Sequence, residues 1–218
     1  MPELLRKLLE LVYPPKCVFC ARVLKSGDFC EECRKALPYT VGDSIVQKLP
    51  FIEKCISPLY YKDKVREAIL RYKFYGCESY SERFGAIMAE TAEKNLDCGS
   101  VDMISCIPLS RKRRRKRGYD QAELLAREIS AHTGVAFVPL LKKTKDNAVQ
   151  STIKDAKRRA ANIAGVYSLV SADAVKGKTI LLVDDVTTTG ATLSECARVL
   201  KKAGAKTVFA VTLARHED

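Results

Sequence analysis

The chain has 218 residues, of which 47% are hydrophobic and 29% charged. That length suits one α/β domain with a small appendage and is short for two full domains. The composition excludes a disordered or membrane-embedded chain. The net charge of +12 points to an anionic partner such as phosphate, nucleotide, nucleic acid or a membrane surface, without choosing among them.

Near the start, Leu4, Leu5, Leu8, Leu9, Leu11 and Val12 are interrupted by Arg6, Lys7 and Glu10. This reads as an amphipathic helix, not a signal peptide or a membrane span. A cytoplasmic protein with reduced cysteines is expected on that ground. Cys17-x2-Cys20 and Cys30-x2-Cys33 follow as two knuckles separated by nine residues. Paired CxxC turns supply the four soft ligands of a tetrahedral zinc within a very short chain. A redox pair would need a single CxxC in a βαβ context. Residues 1–40 are therefore expected to form a structural zinc module. Such a segment has little core, so the metal would contribute most of its folding energy.

Residues 41–218 read as one domain. Cys55–Tyr61 is strand-like; Val65, Ile69 and Tyr72, then Phe84, Ile87 and Met88, recur at helical spacing. Val101–Ile107 is a short apolar run, Tyr119–His132 is amphipathic, and Val135–Pro139 reads as another short strand. Thr179–Val183 and Thr207–Leu213 are strongly apolar, with a helix expected over Thr192–Ala203 between them. Such alternation predicts an α/β fold with a mostly parallel sheet flanked by helices.

The stretch from Ile180 to Thr192 carries the most chemistry. A buried strand runs into Asp184 and Asp185, then a loop with Thr187, Thr188 and Thr189, then Gly190, Ala191 and Thr192 at a helix start. Gly190 permits a backbone conformation that wraps an anion closely. The helix start offers unpaired N–H donors and the positive end of the dipole, and the threonine hydroxyls add donors. Carboxylates at the end of a strand sit where α/β sheets bind ligands, suited to sugar hydroxyls directly or through a metal. A plain turn with an aspartate cap would account for one Asp and the Gly, not for two Asp and four Thr in nine residues.

Arg111 to Arg117 are seven consecutive cations, expected as an exposed loop or frayed helix start. They could neutralise a pyrophosphate, grip the phosphates of a nucleic-acid strand through Arg111, Arg113, Arg114, Arg115 and Arg117, or simply be solvated. A second basic region runs from Lys142 to Arg159. Tyr72, Phe74, Tyr75 and Tyr119 could stack on bases or belong to the core.

Val183-Asp-Asp-Val-Thr-Thr-Thr-Gly190 resembles the phosphoribosyl pyrophosphate signature of type I phosphoribosyltransferases. Taken with the paired cysteines, Leu70-Arg-Tyr-Lys-Phe-Tyr-Gly76, Ile107-Pro-Leu109, Arg117-Gly-Tyr-Asp-Gln-Ala-Glu-Leu-Leu125, Arg159 and Asn162, it makes nearly the whole chain similar to the ComF family. That family is associated with DNA uptake during natural competence. Tyr119 and Asp120 stand where it more usually has Phe and Asn, and Thr188 replaces a frequent Leu or Tyr.

The resemblance implies a type I phosphoribosyltransferase fold behind the zinc module. It implies that Asp184 and Asp185 contact the ribose hydroxyls and stabilise a positively charged ribosyl transition state. Residues Thr187 to Thr192 would hold the 5-phosphate, and Pro108, Leu109 and Ser110 would match the pyrophosphate loop. Magnesium would accompany phosphoribosyl pyrophosphate, and single-stranded DNA and competence or recombination proteins would be partners.

Three functions follow: a competence factor that binds phosphoribosyl pyrophosphate and single-stranded DNA, a metabolic transferase acting on a base or amine, and a non-catalytic DNA-binding adaptor. Little sequence follows Thr207–Leu213, so no C-terminal hood for a base is expected. Any acceptor site is then expected before Val101, where no base-reading constellation shows. That weighs against the metabolic reading, and the intact carboxylates and threonines weigh against the adaptor.

Overall fold

The computed structural model describes residues 14–145 and 165–217. The amphipathic segment of residues 4–12 lies outside the described residues, as do Gln150, Lys154, Lys157, Arg158, Arg159 and Asn162.

After α1 (Glu31–Ala36), a hairpin of β1 (Val46–Leu49) and β2 (Ile52–Ile56) leads to a two-residue β3 (Leu59–Tyr60). Helices α2 (Asp63–Phe74) and α3 (Tyr80–Asn95) precede β4 (Met103–Cys106). Next come α4 (Arg111–Arg117), α5 (Gln121–Thr133) and the strands β5 (Leu141–Lys143) and β6 (Tyr167–Leu169). A β7–α6–β8 unit closes the described chain: Thr179–Thr187, Ala191–Lys202 and Thr207–Arg215. Among the described residues the main sheet has six strands in the order β1-β2-β8-β7-β4, with β3 also beside β8. Only the β1–β2 pairing in it is antiparallel.

β7 and β8 are central, and Ile180, Leu182, Val183, Val208, Val211 and Leu213 are fully buried. A parallel strand covered on both faces needs such a continuous apolar run. One face packs α6 through Leu193, Cys196, Ala197 and Leu200. The other carries α2, α3 and α5 through Val65, Ile69, Phe84, Met88, Leu125 and Ile129.

The cysteine module shares this second core. Phe19 is fully buried, with its ring centroid 5.1 Å from Phe29 and 5.6 Å from Phe84. The metal is therefore not left to hold the module alone, because Val18 and Phe19 anchor it in the apolar interior of the larger unit.

Three sequence expectations change in detail. The strand over Cys55–Tyr61 is broken between β2 and β3, where Pro58 has no N–H for a ladder. Val135–Pro139 makes one parallel bridge, Phe137 to Ile104, rather than a strand. The cationic run is neither a loop nor frayed: α4 is capped at both ends. The Ser110 side chain accepts the Arg113 N–H, and Gly118, at φ 88, closes the helix with its N–H on the Arg114 carbonyl. Arginine and lysine are good helix formers, and two caps together outweigh their mutual repulsion.

α3 and α5 approach closely at Gly85, where an added Cβ would lie 2.3 Å from Glu128 Cβ. Gly85→Ala is expected to lower stability by about 1–3 kcal/mol in urea denaturation, the usual size for overpacking. Helix propensity alone would shift it about 1 kcal/mol the other way, so an unchanged or higher midpoint would show that the helices have room to part.

Candidate functional site

At the end of β7, Asp184 and Asp185 open onto a cavity of about 300 Å³. Its walls come from β7 and the following loop, the turn after β4, the start of α5, α2 and α4. The Asp184 carboxylate accepts the Asp185 N–H at 2.8 Å. Burial, then the charge of Asp185, pushes the Asp184 carboxyl up to about 8, against the pull of Lys73. Asp185 is only 7% exposed and forms an ion pair with Lys73 of α2 at 2.7 Å.

The loop after β7 turns at Gly190, whose φ is 70. A Cβ there would fall 2.2 Å from a methyl of Leu49, so glycine serves both the turn and the close approach of β1. Gln47 of β1 donates to the Thr188 carbonyl at 3.2 Å and accepts the Thr187 hydroxyl at 3.2 Å. The hairpin thus braces the loop from behind. The N-cap of α6 is Gly190, which has no side chain to cap the helix, and the positive end of the helix faces the cavity through Ala191 and Thr192.

Of the expected anion-binding residues, Thr187, Thr188, Gly190, Ala191 and Thr192 line the cavity, whereas Thr189 is exposed outside its wall. Pro108 and Leu109 line it from the turn after β4. The Leu109 N–H is already given to Asp120 at 2.8 Å, and Ser110 is spent on capping α4. Asp120 also accepts the Glu123 N–H at 3.3 Å. Burial raises its pKa, and these two N–H groups oppose the rise. Asp120 is thus a strut for this turn.

The cationic run divides. Arg113 and Arg117, one helical turn apart, face the cavity. Arg117 donates to Gln121 at 2.6 Å and lies 4.8 Å over the Phe74 ring. Arg114 pairs with Glu123 at 3.4 Å, and Arg111 and Arg115 are exposed elsewhere. Tyr72 and Tyr119 are core residues; Phe74 and Tyr75 are exposed. Among side chains before Val101, Tyr61, Leu70, Lys73 and Phe74 reach the cavity; Phe74 is one of the aromatics the sequence offers for stacking, whereas it assigns Tyr61 and Lys73 no role. A lysine between two aromatics at a helix end was the available signal for Lys73; nothing marked Gln47 or Leu49.

On the far side of α2, the sulfur atoms of Cys17, Cys20, Cys30 and Cys33 all lie within 4.8 Å of one another. The Cys20 and Cys30 sulfurs are 3.8 Å apart, close to the roughly 3.8 Å that tetrahedral Zn–S bonds of about 2.3 Å require. Burial raises the Cys17 thiol, but backbone N–H groups of Cys20, Cys30 and Phe19 overcome it and hold the thiol at about 7. The four residues fit a zinc ion, and a full set of protein ligands makes it structural.

Residues 85–218 match the phosphoribosyl transferase domain and residues 8–45 the double zinc ribbon domain. The chain is 28% identical over 207 residues to competence protein F of Haemophilus influenzae, covering 91% of this chain and 90% of that one. It is 28% identical over 217 residues to competence protein ComFC of Bacillus subtilis, covering 96% and 82%. Among solved structures, the allosteric regulatory enzyme of purine biosynthesis aligns at 19% identity and a TM-score of 0.45, over 66% of this chain and 29% of that chain.

An acid whose pKa is higher folded than unfolded makes stability fall as pH rises between the two values. For Asp184 that window runs from 3.8 to about 8. The denaturation midpoint of the wild type is expected to fall across it relative to Asp184→Asn, and to run parallel above it. Urea denaturation at a series of pH values measures this; parallel curves throughout would show that Asp184 ionises as an ordinary aspartate.

Proposed function

Since the chain belongs to the phosphoribosyl transferase domain family, we propose that the cavity beneath β7 binds phosphoribosyl pyrophosphate together with its magnesium. The observation that carries this reading is one cavity lined by Asp184 and Asp185, by the start of α6 at Gly190, Ala191 and Thr192, and by the cations Arg113 and Arg117. These meet a sugar diol, a phosphate and a pyrophosphate in turn. Burial and the neighbouring charge of Asp185 raise the Asp184 pKa, and the carboxyl oxygens at the strand end offer acceptors to the donating hydroxyls of a sugar diol. Thr187, Thr188, Gly190, Ala191 and Thr192 take the 5-phosphate. Pro108, Leu109 and Ser110 shape the pyrophosphate side, with Arg113 and Arg117 supplying charge. If transfer occurs, the carboxylates stabilise the positive charge that develops on the ribosyl group. Magnesium bound with the substrate would supply positive charge to offset that of a departing pyrophosphate.

The relatives bear names of competence proteins, and an alignment spanning most of both chains supports a role in DNA uptake. In that role the chain is an intracellular factor with a zinc module over residues 1–40 and a transferase-like domain over 41–218. It works beside competence or recombination proteins. No described helix is long and apolar enough to cross a membrane. Single-stranded DNA is the second ligand, and the exposed side of α4, with Arg111 and Arg115, favours a surface contact outside the cavity.

Titration calorimetry of phosphoribosyl pyrophosphate into the zinc-loaded protein is expected to show magnesium-dependent binding. The double change Asp184→Asn, Asp185→Asn should weaken it by at least about tenfold, the order of a lost charge-assisted hydrogen bond, with zinc content unchanged. Equal affinity in that variant would remove both residues from the site.

For DNA, Arg111→Ala with Arg115→Ala should lower affinity and reduce the salt slope by about 0.7 per lost phosphate contact. Its affinity for phosphoribosyl pyrophosphate should stay as in the wild type. An unchanged slope would place the DNA on another surface.

A further inference from the structure

Three consecutive residues at the end of α2 reach three different parts of the protein. Arg71 donates to the carbonyls of Val18 at 3.2 Å and Phe19 at 2.6 Å, both inside the Cys17–Cys20 turn. The buried Tyr72 hydroxyl donates to the Gln121 carbonyl at 2.9 Å, and the Tyr72 carbonyl accepts the Tyr119 hydroxyl. Lys73 pairs with Asp185 at 2.7 Å, with the side chains 19% and 10% exposed. All three precede residues 85–218, where the transferase domain match lies.

We propose, resting on the phosphoribosyl pyrophosphate reading, that Lys73 is part of the sugar-binding site and that the first cysteine knuckle holds it there through Arg71. An ion pair so shielded from water is a fixed feature of the cavity, because removing either partner strands the other's charge. Lysine has three donors, so Lys73 can hold Asp185 and still meet an oxygen of the phosphorylated sugar. Asp185 is thereby oriented before the sugar arrives, which lowers the ordering cost of binding.

Tyr72 fixes the helix end against the turn beside Asp120. Arg71 adds a second constraint from the cysteine turn. Its guanidinium spans from α2 to two carbonyls of a turn that zinc makes rigid, so the knuckle sets where the next turn of helix places Lys73. Arg71 is a positioning residue, and Lys73 is the group that meets the ligand.

The test is calorimetric titration of phosphoribosyl pyrophosphate with magnesium into the zinc-loaded full chain. It compares the wild type with Lys73→Met, Lys73→Arg, Arg71→Met and the double variant Arg71→Met, Lys73→Met. Lys73→Met is expected to weaken binding by about tenfold or more, and Lys73→Arg to recover part of the loss. Arg71→Met should weaken it by a smaller factor, and the double variant should bind no more weakly than Lys73→Met alone, since Arg71 acts through Lys73. Zinc should remain equimolar throughout.

Wild-type affinity in Lys73→Met would overturn the proposal. If that variant does not fold, Lys73→Gln gives the same comparison with a donor retained. A full extra loss in the double variant, or zinc loss from Arg71→Met, would overturn the role of the knuckle. A wild type that does not bind would bring down the underlying reading, and this proposal with it.

Discussion

Two neighbouring carboxylates can be held in a buried strand end only if a proton or a cation is close by. Both devices are present. Asp184 is pushed up to about 8 by burial and by its neighbour, and Asp185 meets Lys73. The second device sets conditions on the fold. Lys73 must come from a helix that crosses the end of β7, so α2 is packed by Val65, Ala68, Ile69 and Tyr72 against the apolar face it shares with α3 and α5. The cysteine module then closes that core with Phe19. Chemistry at one strand end and packing around a cysteine turn are parts of the same arrangement.

Much of this was legible in the sequence because the relevant signals are local. The continuous apolar runs of β7 and β8, the helical spacing of Val65, Ile69 and Tyr72, and the two CxxC turns each specify structure within a few residues. The Asp-Asp and threonine pattern likewise exposes its own use. Gln47, Leu49 and Lys73 were harder to read because each acquires its role from a residue far away in the chain. Gln47 is 140 residues from Thr187, and no periodicity reports such a pairing. Asp120 is a different case. In the sequence it stands out only as a departure from the family's usual Asn, yet it is occupied by the N–H groups of Leu109 and Glu123. Val135–Pro139 has strand composition but lies at the outer edge of β4, where one bridge satisfies it.

The brace of β1 against the threonine loop explains an asymmetry in the sheet. The β1–β2 hairpin is antiparallel to an otherwise parallel arrangement, and its edge position lets Gln47 and Leu49 reach the loop from outside. The loop is held through the Thr188 carbonyl, the Thr187 hydroxyl and the close approach of Leu49 to Gly190, none of which uses an N–H donor at the start of α6.

Helix α4 is held together by its caps while its side chains repel one another. Like charges one turn apart destabilise a helix, and seven successive cations leave few ways to avoid this. Arg114 finds Glu123 and Arg117 rests on Phe74, so the strain is relieved on one side only. Dissolved salt consequently has two opposed effects. By shortening the range of charge interactions, it relaxes the free helix and favours the folded chain, while competing with any polyanion for the same arginines. The ionic strength of the cell therefore sets a working range, in which α4 is calm enough to keep its shape and still charged enough to attract.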